Sequence, residues 1–257
     1  MPVVLNLGKD RHAKLAGFTL VELMVVIAIA SILSALMLPA LSSAKEKSRR
    51  AVCKSNLRQL VQVLEIYADD NSQLLPSSAD NAGYYHSIIL SDETFTNLVD
   101  LASGSSNIFY CPNIVFGPGA NSVARHTKYG YVIGYSYWAG AIVGNIKGPD
   151  YFVLPSKSTD PTLSTNALIT DANYWTPNQA ASTYFPAAMT VSPHGVAGAA
   201  MSQGSSFAVS SHGATNSAGV GAEGGNAGFL NGSVVWRSIG SMQTLPASSL
   251  GDASGNR

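Results

Sequence analysis

Several groups of residues have types and spacing that could do chemistry. Glu22 is the one carboxylate inside an otherwise apolar stretch, residues 18–41, FTLVELMVVIAIASILSALMLPAL. An acid there costs a few kcal/mol, about 3 by insertion scales, so it points to a function with a cationic partner. The alternative is a helix-end glutamate reaching lipid headgroups. Cys53 and Cys111 are the two cysteines. They can form one disulfide, worth about 4 kcal/mol for a loop of that size in the chain-entropy picture, or stay as two buried thiols. They are too few and too far apart in sequence for a zinc framework. Asp69, Asp70 and Asn71 offer oxygen ligands of the kind calcium takes, but such a trio also commonly ends a helix. His194 and His212 lie among glycines and serines with no G-x-S-x-G elbow, which sets a Ser–His hydrolase aside. Gly219 to Gly224 fits G-x-G-x-x-G, yet no strand precedes it and no long helix follows, so it reads as a flexible loop.

The elements that must position these residues fall into three regions. Residues 1–17 form a short basic leader with Lys9, Arg11 and Lys14 against Asp10, ending in Ala16-Gly17. Residues 18–41 are long and apolar enough to cross a bilayer, which takes about 20 residues. The basic flank stays cytoplasmic by the positive-inside rule, which puts the bulk of the chain across the membrane. Residues 42–257 are the head. They begin with SAKEKSRRAVCKSNLRQLVQVLEIYADDN, residues 43–71, in which Cys53, Leu57, Leu60, Leu64 and Tyr67 recur at steps of four and three. That is one face of an amphipathic helix, 42–70. Arg49, Arg50, Lys54, Arg58 and Glu65 fall mostly off the stripe. Pro39 is the one breaker before Asp69–Ser72 and Pro76. It removes a backbone hydrogen bond and kinks the helix. The spacing therefore predicts one long helix over 18–68, apolar all round and then amphipathic, whose stripe the head must cover.

Farther along, residues 107–116 and 129–137 are rich in aromatic and β-branched types and read as strands, with 166–170 as a shorter one. Tyr129, Tyr131, Tyr135, Tyr137 and Trp138 along the second run read as sheet core ahead of an exposed binding face. Residues 176–225 are rich in Ala, Gly and Ser, with little periodicity, and read as long loops. Residues 227–236 read as a hairpin about Asn231-Gly232, in a type I′ turn. The balance of 15 basic and 15 acidic residues provides no field to draw the chain onto nucleic acid.

Residues 14–23, Lys-Leu-Ala-Gly-Phe-Thr-Leu-Val-Glu-Leu, resemble the signal of type IV prepilins and type II secretion pseudopilins. The resemblance implies that a prepilin peptidase cuts between Gly17 and Phe18 and methylates Phe18. It implies that Glu22 pairs with the N-terminal amine of a neighbouring subunit, and that Pro39 bends or melts the helix where it leaves the membrane. A looser resemblance runs through Cys53–Leu60, Tyr67–Asn71, Leu75-Pro76 and Cys111-Pro112 to a group of pseudopilin-like proteins. That group ends in a histidine-containing loop, here at His212, then a strand, an Asp-Gly turn and another strand. This chain has Asn231-Gly232 in place of Asp-Gly, and a long spacing from His212.

The expected architecture is α+β: a long N-terminal helix packed on a C-terminal antiparallel sheet with long irregular loops. The expected function is structural, in a type II secretion pseudopilus or related filament at the bacterial inner membrane, with the head periplasmic. The other readings are a minor type IV pilin for adhesion or DNA uptake, and a monomeric membrane-tethered binding protein. Partners would be the prepilin peptidase, other pseudopilin subunits and the inner membrane, without nucleic acid. No catalytic residue, metal or cofactor is expected.

Overall fold

The computed structural model describes residues 18–83, 85–114, 125–140, 155–175, 190–195, 198–202, 221–246 and 254–256. The leader 1–17, with Gly17, and His212 lie outside the described residues. The chain divides into two compact units after Leu41.

Helix α1 (Leu20–Asp70) contributes to both units and runs through Pro39 without ending there. It begins with a reciprocal cap that the Thr19-Leu20-Val21-Glu22 spacing encodes. Thr19 donates its N–H and hydroxyl to Glu22 Oε2 at 2.8 and 2.7 Å, and Glu22 N donates to Thr19 Oγ1 at 3.2 Å. In the first unit the large apolar side chains from Leu20 to Leu41 are all exposed. Within this stretch an 18-residue window of mean hydropathy 2.5 has no buried residue, so the helix is long and apolar enough to cross a membrane. Ser31 and Ser34 return their hydroxyls to the carbonyls of Ile27 and Ala30 at 2.7 and 2.8 Å. An apolar surround therefore meets no orphaned donor from either side chain.

In the second unit, α1 buries Cys53, Leu57, Leu60, Val61, Val63, Leu64 and Ala68, with Tyr67 packed at the margin. This is the expected stripe. It seats against short antiparallel sheets. The strands are β1 (Ile89–Leu90), β2 (Arg125–Thr127), β3 (Gly130–Val132), β4 (Tyr135–Tyr137), β5 (Ile169–Asp171) and β6 (Tyr174–Trp175), then β7 (Thr190–Gly195), β8 (Gly198–Ser202), β9 (Gly224–Gly228), β10 (Val234–Ser238), β11 (Thr244–Pro246) and β12 (Ser254–Asn256). They form three sheets in the orders β1-β3-β2, β10-β9-β5-β4 and β11-β12-β6-β7-β8. The four-stranded sheet receives the helix. At Gly228 on β9 a Cβ would stand 3.1 Å from Val61 Cγ2 and 3.2 Å from Ile169 Cγ2, so glycine permits this close approach. The α+β class is as expected.

Four local expectations are corrected. Residues 107–114 are not a strand, and 115–116 of that expected run lie outside the described residues: Ser106–Phe109 is a 3₁₀ turn, and Pro112, which cannot donate to a ladder, follows Cys111. The run is apolar because Ile108, Phe109, Tyr110, Cys111 and Ile114 are all buried, a pattern that periodicity alone does not tell from a strand. Residues 129–137 divide into β3 and β4 on different sheets. The break falls at Gly134, where a Cβ would lie 2.5 Å from Cys111 N. Tyr135, Tyr137 and Trp138 are core residues, and Tyr129 and Tyr131 pack at its edge. Of 176–225, residues 176–189, 196–197 and 203–220 lie outside the described residues; in the rest, β7, β8 and the first residues of β9 are strands. The β9–β10 hairpin exists, but Gly232 alone of its central pair has positive φ, at 76°. Gly232 N donates to Phe229 O, and Phe229 N donates to Ser233 O. This is a type I turn followed by a left-handed glycine rather than type I′.

A second helix has a clear start signal in the sequence. Helix α2 (Asp92–Leu101) is N-capped by Ser91 with acids in its first turn, a recognised start pattern. Its Phe95 stacks on Tyr131 with ring centroids 4.1 Å apart.

Candidate functional site

In the first unit the residues singled out are Phe18, Glu22 and Pro39. Phe18 is 70 % exposed. The Glu22 carboxylate is held by Thr19 in the N-terminal cap. Pro39, lacking an N–H, leaves the Ala35 carbonyl without its helical donor. A stretch of exposed apolar surface with one capped acid at its start has no chemistry to perform alone. It has surface to bury.

In the second unit the structure assembles a buried polar cluster from five distant segments. Helix α1 provides Glu46, Arg50 and Cys53; the segment after the 3₁₀ turn provides Cys111 and Asn113; β5 provides Asp171, β7 His194 and β9 Asn226. The side chains of Cys53, Cys111, Asp171 and His194 are fully buried, and Glu46 is 2 % exposed. The two Sγ atoms lie 2.8 Å apart as free thiols, and Cys111 Sγ is 3.8 Å from His194 Nε2. His194 faces a carboxylate at each ring nitrogen: Nδ1 lies 2.7 Å from Glu46 Oε1, and Nε2 lies 3.3 Å from Asp171 Oδ2.

The surrounding donors complete the cage. Arg50 Nε donates to Glu46 Oε1 at 2.9 Å, and its Nη2 donates to Gly195 O at 2.8 Å and pairs with Glu223. Asn113 has two amide hydrogens. They go to Glu46 Oε2 at 2.7 Å and Pro193 O at 2.8 Å, which makes its 3.2 Å approach to His194 Nδ1 a contact. Asn113 Oδ1 accepts from Arg49 Nη1 at 2.8 Å. Asn226 donates its backbone N–H and its amide to Asp171 Oδ2 at 2.6 and 2.9 Å. Trp236 covers the outer side, edge-on to His194 at 5.8 Å and under the Arg50 guanidinium at 4.4 Å.

Each charge state follows from these contacts. Burial alone would raise the Glu46 pKa, but hydrogen bonds from Arg50, Asn113 and His194 hold it below the usual value. Burial alone would favour neutral His194; Asp171 and Cys53 outweigh it and raise the imidazole to about 10. Burial pushes the Cys53 thiol up. The cluster is closed to a substrate and ties the helix to the sheets.

The sequence singled out Cys53 and Cys111, and the structure brings them together. It also singled out His194, as a rejected hydrolase residue, and the structure places it beside the thiols. Glu46, Arg50, Asn113, Asp171 and Asn226 were missed. Glu46 and Arg50 do show an i,i+4 signal, but this reads equally well as a solvated surface pair. Asp69 and Asn71 serve the helix end: Asp69 Oδ1 accepts from Gln73 Nε2 at 2.9 Å, and Asn71 Nδ2 donates to Tyr67 O at 2.8 Å.

With this geometry in view, residues 13–38 match the family described as "Prokaryotic N-terminal methylation motif". Among individual proteins, the chain is 39% identical over 69 residues to the type IV wide pilus major component PilA4 of Thermus thermophilus, covering 27% of this chain and 51% of that protein. It is 29% identical over 115 residues to the type IV major pilin protein PilA of Myxococcus xanthus, covering 41% and 52%. It is 38% identical over 56 residues to the type II secretion system core protein G of Pseudomonas aeruginosa, covering 22% and 39%. The chain thus spans about half the length, or less, of these relatives. No solved structure matches.

Proposed function

We propose that this chain is a structural subunit of a pilin-like filament, anchored in the bacterial inner membrane before assembly, and not an enzyme. The observation that carries the reading is the methylation motif over residues 13–38 at the start of a helix whose large apolar side chains from Leu20 to Leu41 are all exposed. Prepilin peptidase cuts between Gly17 and Phe18 and methylates Phe18. The basic leader stays cytoplasmic, and the head, residues 42–257, is periplasmic. In the filament, apolar helix halves pack on one another and Glu22 meets the new N-terminal amine of a neighbour. An unpaired carboxylate in such a core is costly, and the amine offsets that cost. To make the pair, Glu22 must loosen its cap to Thr19, so capping holds the acid until a partner arrives.

Within this class, a type II secretion pseudopilus is the finer reading, supported by the likeness to the core protein G of Pseudomonas aeruginosa. The likeness to pilus components of Thermus thermophilus and Myxococcus xanthus supports a type IV pilus equally. Cysteine cross-linking between subunits in cells tests assembly. Cross-links in the wild type that vanish in Glu22→Ala support the filament. Unchanged cross-linking and localisation in that variant would leave a monomeric tethered protein.

A further inference from the structure

We propose that Cys53, Cys111 and His194 form a zinc site inside the head, with the Asp171 carboxylate next to the histidine. The site is independent of the filament reading: it holds whether or not the chain assembles.

The three ligand atoms all lie within 4.8 Å of one another, and every one of these residues is buried. Tetrahedral zinc, with Zn–S near 2.3 Å and Zn–N near 2.0 Å, puts neighbouring ligand atoms about 3.5–3.8 Å apart. The Cys111 Sγ to His194 Nε2 distance is already 3.8 Å. The sulfurs, at 2.8 Å, need to part by about 1 Å.

The surroundings are those of a metal-ligating histidine. Glu46 Oε1 lies 2.7 Å from Nδ1. That contact fixes the proton on Nδ1 and turns Nε2 toward the sulfurs, as carboxylates behind metal-bound histidines do. Asp171 stands on the same side, with Oδ2 at 3.3 Å from Nε2. Its Oδ2 takes both bonds from Asn226, while buried Oδ1 has no hydrogen-bond partner among the described residues. A disulfide would engage the sulfurs alone, leaving the converging imidazole edge without a role. Zinc takes all three ligand atoms. Loading the site replaces protons: two leave the thiols and one leaves Nε2 of the imidazolium, while two Zn–S bonds and one Zn–N bond form. The cation would then join α1, the Cys111 segment and β7, which are far apart in sequence, as a structural clamp.

The test uses the full chain extracted in detergent, without reductant or chelator. Elemental analysis is expected to give one zinc per chain. Replacement of zinc by cobalt is expected to give the sulfur-to-cobalt charge-transfer and intense visible bands of a tetrahedral thiolate site. Cys111→Ser and His194→Ala should lose the metal. Because either variant could fail to fold, Glu46→Gln is the second probe. It keeps all ligands and should bind zinc about 10–100-fold more weakly. Intact-mass and alkylation measurements on the wild type settle the alternatives. A closed disulfide without metal, or two free thiols without cobalt bands, would overturn the site. So would zinc retained at full stoichiometry in folded Cys111→Ser and His194→Ala.

Discussion

Replacing Glu46 by alanine should be among the most damaging single changes in the head. The carboxylate is 2 % exposed and takes hydrogen bonds from Arg50 at 2.9 Å and Asn113 at 2.7 Å, with His194 Nδ1 at 2.7 Å. Removing it leaves the buried His194 ring without its Nδ1 partner and Asn113 without one acceptor. Breaking a buried pair from one side costs about 3–5 kcal/mol. By comparison, the outer Arg50–Glu223 pair has a Glu223 side chain 41 % exposed, and a pair of that kind contributes about 0–1 kcal/mol. Thermal unfolding of the metal-free chain in detergent, followed by near-ultraviolet circular dichroism, reads the difference. At roughly 2–4 °C per kcal/mol for a domain of this size, Glu46→Ala should lower Tm by roughly 6–20 °C and Glu223→Ala by at most about 4 °C. Equal small shifts for the two variants would refute the view that the buried carboxylate anchors the cluster.

Because Glu46 is held below its usual pKa, its stabilisation is present above the unfolded value near 4.5. That stabilisation is lost as pH falls through the lower folded value, so the acid-unfolding midpoint of the metal-free chain should differ between wild type and Glu46→Gln. Leu57→Ala, at a fully buried stripe position, should cost about 2–5 kcal/mol in denaturant unfolding. Gly228→Val should cost about 1–3 kcal/mol by forcing the helix off the sheet near Val61 and Ile169. Gly232→Val at positive φ should cost about 1–2 kcal/mol and leave membrane targeting intact.

Parts of this molecule were open to reading because they depend on local spacing. The stripe from Cys53 to Leu64 repeats at helical intervals, and α1 buries it. The apolar run from Phe18 to Leu41 is a matter of composition. The hairpin about Asn231-Gly232 was legible, but its turn type was not, since Asn231 stays at negative φ. The cluster was illegible for a different reason. Glu46 and His194 are 148 residues apart, and Glu46 sits in the charged run Ala44-Lys45-Glu46-Lys47-Ser48-Arg49-Arg50, which looks solvated. His194 lies on β7, in a segment whose small residues carry no strand signal. Only the packing that sets β7 beside the start of β9, where Glu223 N donates to His194 O, and brings His194 to Glu46 on α1 turns these residues inward.

Processing and assembly meet at the junction at Phe18, where the methylation motif runs into the exposed apolar stretch of α1. Mass spectrometry of the N-terminus of the chain isolated from its native membrane tests it most directly. The expected mature chain begins at Phe18, carries one methyl group on its amine and retains residues 18–41. A mature chain beginning anywhere else, or one lacking that helix, would contradict it.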